Sequence, residues 1–183
     1  MSIQVVGVVG AGQMGAGIAQ VAAQAGLSVI VTDIAEAALD KGKAAIAGSL
    51  ARLVKKATLT QQDADAALAR ITFSTSTAEH ARADFIVEAA SENEALKKKI
   101  FADLDKVARP GVILASNTSS ISITRLAAST SRPEQFIGMH FMNPVPVMKL
   151  VELIRGIATD DATYAATKAL AEQMGKVTTV SKD

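Results

Sequence analysis

Gly10-Ala11-Gly12-Gln13-Met14-Gly15 carries glycine at its first, third and sixth positions, a pattern that lets a backbone wrap a pyrophosphate. Gly10 permits a tight turn out of a preceding strand, Gly12 lets a diphosphate approach the main chain, and Gly15 allows close helix–strand packing. Phosphates placed at Gln13 and Met14 would meet the free N–H groups of a helix N-terminus. An acid, Asp33, follows 23 residues after Gly10. A carboxylate at that spacing accepts hydrogen bonds from an adenosine ribose and repels a 2′-phosphate, and with no arginine close behind it the pattern favours NAD over NADP. A turn followed by a capping Asp is the plainer alternative.

Proton transfer has few candidates. The chain holds two histidines and no cysteine, which excludes disulfides and Cys nucleophiles and leaves no metal-ligand cluster to propose. His80 lies in Thr77-Ala78-Glu79-His80-Ala81-Arg82, surroundings that read as solvated surface. His140 ends an apolar run before Phe141-Met142-Asn143-Pro144, and Glu152 lies 12 residues on. A hairpin through Asn143-Pro144-Val145-Pro146 would set that carboxylate beside the imidazole. Such a pair acts as a general base: the acid fixes the ring's orientation and tautomer and stabilises the imidazolium that forms. Oxidation of an alcohol requires a proton acceptor of this kind, which imidazole supplies near neutral pH. A structural histidine and a surface glutamate are the alternative. The polar run Ser116 to Ser120 also follows an apolar stretch. Ser120 and Ser122 read as helix caps, Glu88 or Glu92 as a cap for the next helix, and Lys97 to Lys99 mostly as a solvated face.

These groups need a scaffold, and the apolar pattern supplies one. Val5–Val9, Leu27–Thr32, Ile71–Ser74, Asp84–Ala89, Val112–Ala115, Phe136–Phe141, Lys149–Ile154 and Val177–Val180 read as strands. Helices are expected from Met14 to Gly26, Ala35 to Lys56, Thr60 to Leu68, Glu94 to Val107, Ile123 to Ala128 and Asp161 to Met174. Leu96, Ile100, Leu104 and Val107 would form the buried face of the fourth. Alternation of strands with helices indicates a doubly wound α/β domain.

Composition narrows the partners. Of 183 residues, 49% are hydrophobic and only 3% aromatic, with a net charge of +1. That balance gives no basic excess for a nucleic acid and few rings for base stacking. Met1 to Thr32 carries no charged side chain, and Ala23-Gln24-Ala25 resembles a cleavage site. However, no Lys or Arg forms an n-region, and six glycines and four glutamines interrupt the apolar run. Strands buried on both faces of a parallel sheet account for the stretch instead, and neither a membrane nor a targeting segment is expected. The lack of cysteine fits a reducing, cytoplasmic setting.

Taken together, GAGQMG, Asp33, Glu88-Ala89-Ala90-Ser91-Glu92, the Ser116 to Ser120 run and the segment from His140 to Glu152 resemble the 3-hydroxyacyl-CoA dehydrogenase family, bacterial 3-hydroxybutyryl-CoA dehydrogenases included. The resemblance covers essentially the whole chain and implies a Rossmann-type, mostly parallel sheet over residues 1–183. It further implies reversible, NAD-dependent oxidation of an L-3-hydroxyacyl-CoA to a 3-ketoacyl-CoA. On that resemblance His140 is the base and Glu152 its orienting partner. Ser119 and Asn143 lie beside the substrate oxygen and nicotinamide, Glu92 and Lys97 contact NAD, and Ser49 and Lys56 contact the CoA moiety. Members of the family continue for roughly another hundred residues as a helical domain that forms a homodimer. That domain is absent from this chain, so NAD binding with reduced turnover is expected. A non-catalytic NAD sensor, and a dehydrogenase of another hydroxy acid such as a sugar acid, remain open at this point.

Overall fold

The computed structural model describes residues 2–183. Eight strands form one sheet: β1 (Val5–Val9), β2 (Ser28–Thr32), β3 (Ile71–Ser74), β4 (Phe85–Glu88), β5 (Ile113–Ser116), β6 (Phe136–Phe141), β7 (Leu150–Arg155) and β8 (Val177–Lys182). Their spatial order is β3-β2-β1-β4-β5-β6-β7-β8. The first six run parallel, β7 turns antiparallel against β6, and β8 runs parallel to β7. The doubly wound arrangement expected from the alternation is present. After β2 and β3 extend the sheet on one side of β1, the chain crosses to β4 on the other, and the carboxyl ends of β1 and β4 part around a crevice.

The helices are α1 (Gln13–Gln24), α2 (Glu36–Lys55), α3 (Gln61–Ala69), α4 (Glu94–Val107), α5 (Ile123–Ala127) and α6 (Asp161–Gln173). α1, α2, α3 and α6 share one core with the residues of the sheet that face them, including Val6, Val8, Phe85 and Val87. Ile86, Leu114 and Phe136 face the other way, onto α4 and α5. This two-sided burial is why the interior strands read as unbroken apolar runs. Thr60 caps α3 by accepting from Asp63 N–H, as expected, and Ser122 caps α5 through Arg125 N–H. No helix among the described residues is long and apolar enough to cross a membrane.

Several local expectations are corrected. Asn93, not Glu88 or Glu92, caps α4. Ser120 caps no helix; its N–H donates to the Thr118 hydroxyl. The buried face of α4 is Lys97, Phe101 and Leu104, whereas Leu96 is 41% exposed. Lys97 is therefore not part of a solvated lysine face. His80 is not solvated either: residues 77–82 form a 3₁₀ turn that drives its ring, 0% exposed, under β1.

Candidate active site

Gly10 leaves β1 with φ +104°, in the left-handed region where glycine is favoured, and a Cβ there would meet the Ala89 carbonyl oxygen at 2.7 Å. A Cβ on Gly15 would lie 1.9 Å from the Gly10 carbonyl oxygen, so that glycine is set by the turn folding back on α1. Gly12 differs. Nothing lies within 4 Å of where its Cβ would stand, so the protein's own packing does not require glycine there. The open space fronts the N-terminus of α1, whose first N–H groups have no side-chain cap. Uncapped donors beside an unobstructed backbone suit a pyrophosphate. Asp33 follows β2 and accepts from Ala11 N–H and Ala35 N–H, each at 3.0 Å. These bonds fix its carboxylate against the glycine turn, and Ile34 beside it is 98% exposed.

A network of charged groups lies at the ends of β4 and β5. Glu88 and Ser116 are paired in register. The Ser116 hydroxyl and Ala90 N–H donate to Glu88 at 2.6 and 2.7 Å, and Lys97 Nζ reaches the same carboxylate at 2.6 Å. Both side chains of this ion pair are 2% exposed or less. Lys97 also lies 3.6 Å from Glu92, whose carboxylate accepts from the Thr118 hydroxyl and from the N–H and hydroxyl of Ser119. Burial works against the charge on Glu92. The Ser119 N–H, the Thr118 hydroxyl and the Lys97 ammonium outweigh it, and its carboxyl titrates below the ordinary range.

His140 projects from the end of β6, directly opposite Glu152 on β7 in the antiparallel register. Nδ1 lies 3.5 Å from Glu152 Oε2, the two side chains being 21% and 39% exposed. The Ser181 hydroxyl on β8 donates to the other oxygen of Glu152 at 3.4 Å. An acid facing Nδ1 favours the proton on that nitrogen and leaves the Nε2 lone pair available. Asn117 fixes the end of β6 by accepting from Phe141 N–H at 2.8 Å. The ring opens on a cavity of about 300 Å³ lined also by Met14, Glu92, Lys97, Ser119 and Asn143. A second cleft, about 680 Å³, runs between α1, α2 and the loop after β6; Gly12, Gln13, Lys41, Ser49, Arg52 and Lys56 line it. Asn143 stands on the wall of both.

A family model described as 3-hydroxyacyl-CoA dehydrogenase, NAD binding domain, matches residues 5–183. The chain belongs to this family. The 3-hydroxybutyryl-CoA dehydrogenase of Bradyrhizobium diazoefficiens is 54% identical over 99% of this chain and 62% of its own length. That of Mycobacterium tuberculosis is 48% identical over 93% of this chain and 60% of its own length. The crystal structure of (S)-3-hydroxybutyryl-CoA dehydrogenase from Ralstonia eutropha superposes with a TM-score of 0.98 at 56% identity, covering all of this chain and 64% of that one. The chain thus spans about three fifths of the length of the curated relatives it matches. NAD is the cofactor of this fold family, and the uncapped α1 N-terminus, the open face of Gly12 and the fixed Asp33 carboxylate fit it.

The residues singled out in the sequence fall into three groups. Met14, Glu92, Lys97, Ser119, His140 and Asn143 come together around the smaller cavity, with Glu152 behind His140. Gln13, Gly12, Ser49 and Lys56 meet along the larger cleft. Asp33 lines neither cavity and is held at the glycine turn. Ser181 and Glu88 join the site only in the structure. The parallel β7–β8 register that brings Ser181 to Glu152 leaves no local mark. The Glu88–Lys97 pair left one, because Lys97 shares a helical stripe with Phe101 and Leu104, where a charge must find a partner.

Proposed function

We propose that residues 1–183 form the NAD-binding, base-carrying domain of an L-3-hydroxyacyl-CoA dehydrogenase. The enzyme would act reversibly on short acyl chains such as 3-hydroxybutyryl-CoA and form the 3-ketoacyl-CoA. The observation that carries this reading is the placement of His140: its imidazole is backed by Glu152 and opens on the same cavity as Met14 of the glycine turn. A sensor needs no such proton acceptor.

The N-terminus of α1 and the open face of Gly12 receive the pyrophosphate, and Asp33 binds the ribose hydroxyls. Glu92, Lys97, Ser119 and Asn143 surround the nicotinamide end. When bound, NAD accepts the hydride from the hydroxyl-bearing carbon. His140 takes the hydroxyl proton on Nε2, while Glu152 holds Nδ1–H and stabilises the imidazolium. Ser119 and Asn143 orient the substrate oxygen. Lys41, Arg52 and Lys56, which line the larger cleft with Ser49, supply cationic donors suited to the phosphates of CoA. This favours an acyl-CoA over a sugar acid. Reduced turnover by residues 1–183 taken alone is part of the same reading, because further residues covering the substrate would position it and exclude water. In this reading the setting is cytoplasmic and the complete enzyme is a homodimer.

The test is the loss of NADH absorbance with acetoacetyl-CoA, run on this chain and on a version extended past Asp183. NADH oxidation by both, slower in the 183-residue chain, is the expected result. No oxidation by the extended version, with turnover of a sugar acid instead, would overturn the reading. Equal rates in the two would remove the argument about water exclusion.

A further inference from the structure

Lys176 carries a buried charge that the chemistry above does not use. It follows the end of α6, is 8% exposed, and donates from Nζ to the carbonyls of Val145 at 2.6 Å and Met148 at 2.7 Å. No acidic side chain among the described residues forms an ion pair with it. Burying an ammonium on two neutral carbonyls is costly, and burial lowers its pKa accordingly. The two carbonyls belong to the loop between β6 and β7. That loop presents Asn143 to both cavities and Pro144, Pro146 and Val147 to the larger one.

The same loop is held from its other side by packing. Val145 is 2% exposed, and a Cβ on Gly17 of α1 would stand 2.8 Å from its side chain. Within the loop, only Val147 N–H and Met148 N–H bond back, both to the Pro144 carbonyl. Two prolines remove further donors. Backbone bonding inside the loop converges on the Pro144 carbonyl, and Lys176 adds two bonds that tie the middle of the loop, at Val145, to its end, at Met148.

We propose that Lys176 is a positioning residue. By clamping the Val145 and Met148 carbonyls it fixes the Asn143–Met148 loop as the wall of the larger cleft, and so sets the affinity for the CoA moiety without touching it. The inference rests on the reading of that cleft as the CoA site. The dinucleotide side, built on β1, α1 and β2, meets the clamped loop at Asn143 and across Gly17 of α1, but its pyrophosphate and ribose groups take their bonds outside the loop, so NAD should feel the clamp far less than CoA.

The test compares this chain with Lys176→Met, which keeps the length of the side chain but loses its donors, and Lys176→Gln, which keeps donors without charge. Coenzyme A and NAD are titrated separately by calorimetry, and amide exchange is followed at Val147 and Met148. In Lys176→Met the loop amides should exchange faster and the CoA dissociation constant should rise about tenfold, the weight of one to two hydrogen bonds. The NAD constant should stay within about twofold, and Lys176→Gln should fall between. Unchanged CoA affinity despite faster loop exchange overturns the proposal. Equal losses for CoA and NAD overturn it too, because they assign Lys176 to the fold alone. Should Lys176→Met fail to fold, Lys176→Gln decides by the same measurements. If the unaltered chain does not bind CoA, the cleft reading fails separately, and unchanged loop exchange in either variant then removes the clamp as well.

Discussion

His80 and His140 share a side chain and little else. His80 is sealed: Nε2 lies 2.7 Å from the Thr32 hydroxyl, Nδ1 has no partner, and the ring presses on Gly7, where a Cβ would come within 2.4 Å of it. Burial is the leading influence on it and, against a smaller opposing pull from Glu79, lowers its pKa to about 4. His140 is partly open, faces a cavity and has a carboxylate at Nδ1. An imidazole that must take and release a proton needs both an exposed nitrogen and a nearby acid to balance the charge. His140 has both. His80 has no exposed nitrogen and no acid bonded to its ring, and the two rings should respond oppositely to substitution.

The largest separation is expected in turnover. Replacing His140 with Ala should slow NADH oxidation in the acetoacetyl-CoA assay by about 10²–10⁴-fold, roughly 3–5 kcal/mol of barrier. Thermal midpoint and NAD affinity should hardly move, since the ring is partly exposed and lies outside the glycine turn. A variant at His80 should show the reverse, with a lowered midpoint. Loss of stability in His140→Ala with retained turnover would break the contrast and return His140 to a structural role.

The next effect is on stability in mild acid. A histidine whose pKa falls from 6.5 unfolded to about 4 folded binds its proton more readily in the unfolded chain, so protonation favours unfolding. The stability it contributes is fully present above 6.5 and is lost as the pH falls toward about 4, a total of about 3 kcal/mol. The carboxylates held below their ordinary values, Asp84, Glu92, Asp105 and Asp183, also lose stability on acidification. Their losses begin only near 3.8 for the Asp residues and 4.5 for Glu92, so most of the upper window belongs to His80. Urea unfolding across that window should show a steady fall, absent in His80→Asn. A flat profile in the unaltered chain would mean that His80 is less sealed than its geometry implies.

The contrast also shows what a sequence displays and what it hides. Every strand and α-helix is legible to within one or two residues, because strands buried on both faces are apolar runs and the glycine turn punctuates them. The His140–Glu152 pairing was legible because a short hairpin converts a 12-residue separation into adjacency. The burial of His80 is hidden because its neighbours Thr77, Glu79 and Arg82 are polar. A 3₁₀ turn can bury one side chain while its neighbours stay in solvent, and the residue that receives this one, Gly7, is 73 positions away. The burial of Lys97 is hidden because it stands in a run of three lysines. The rotation of α4 that carries it inward is set by Phe101 and by Glu88 on β4, partners that only the assembled sheet provides.

The smallest effect sharpens the cause of the His80 shift. With Nδ1 bare, the tautomer that leaves no buried N–H unpaired carries its proton on Nε2 and donates it to the Thr32 hydroxyl. Replacing Thr32 with Val removes that acceptor and keeps the shape, which should cost about 1 kcal/mol at neutral pH. If burial depresses the pKa, as the sealed ring indicates, the slope of stability against pH should survive in Thr32→Val, because the ring remains out of water. If the slope disappears with the hydroxyl, the hydrogen bond and not the desolvation governs the titration. Thr32 immediately precedes Asp33, and its carbonyl accepts from Gly10 N–H at 2.8 Å through the main chain alone. NAD affinity should therefore be unchanged in the variant, which keeps the sealed histidine and the cofactor turn as two separable readouts of one strand end.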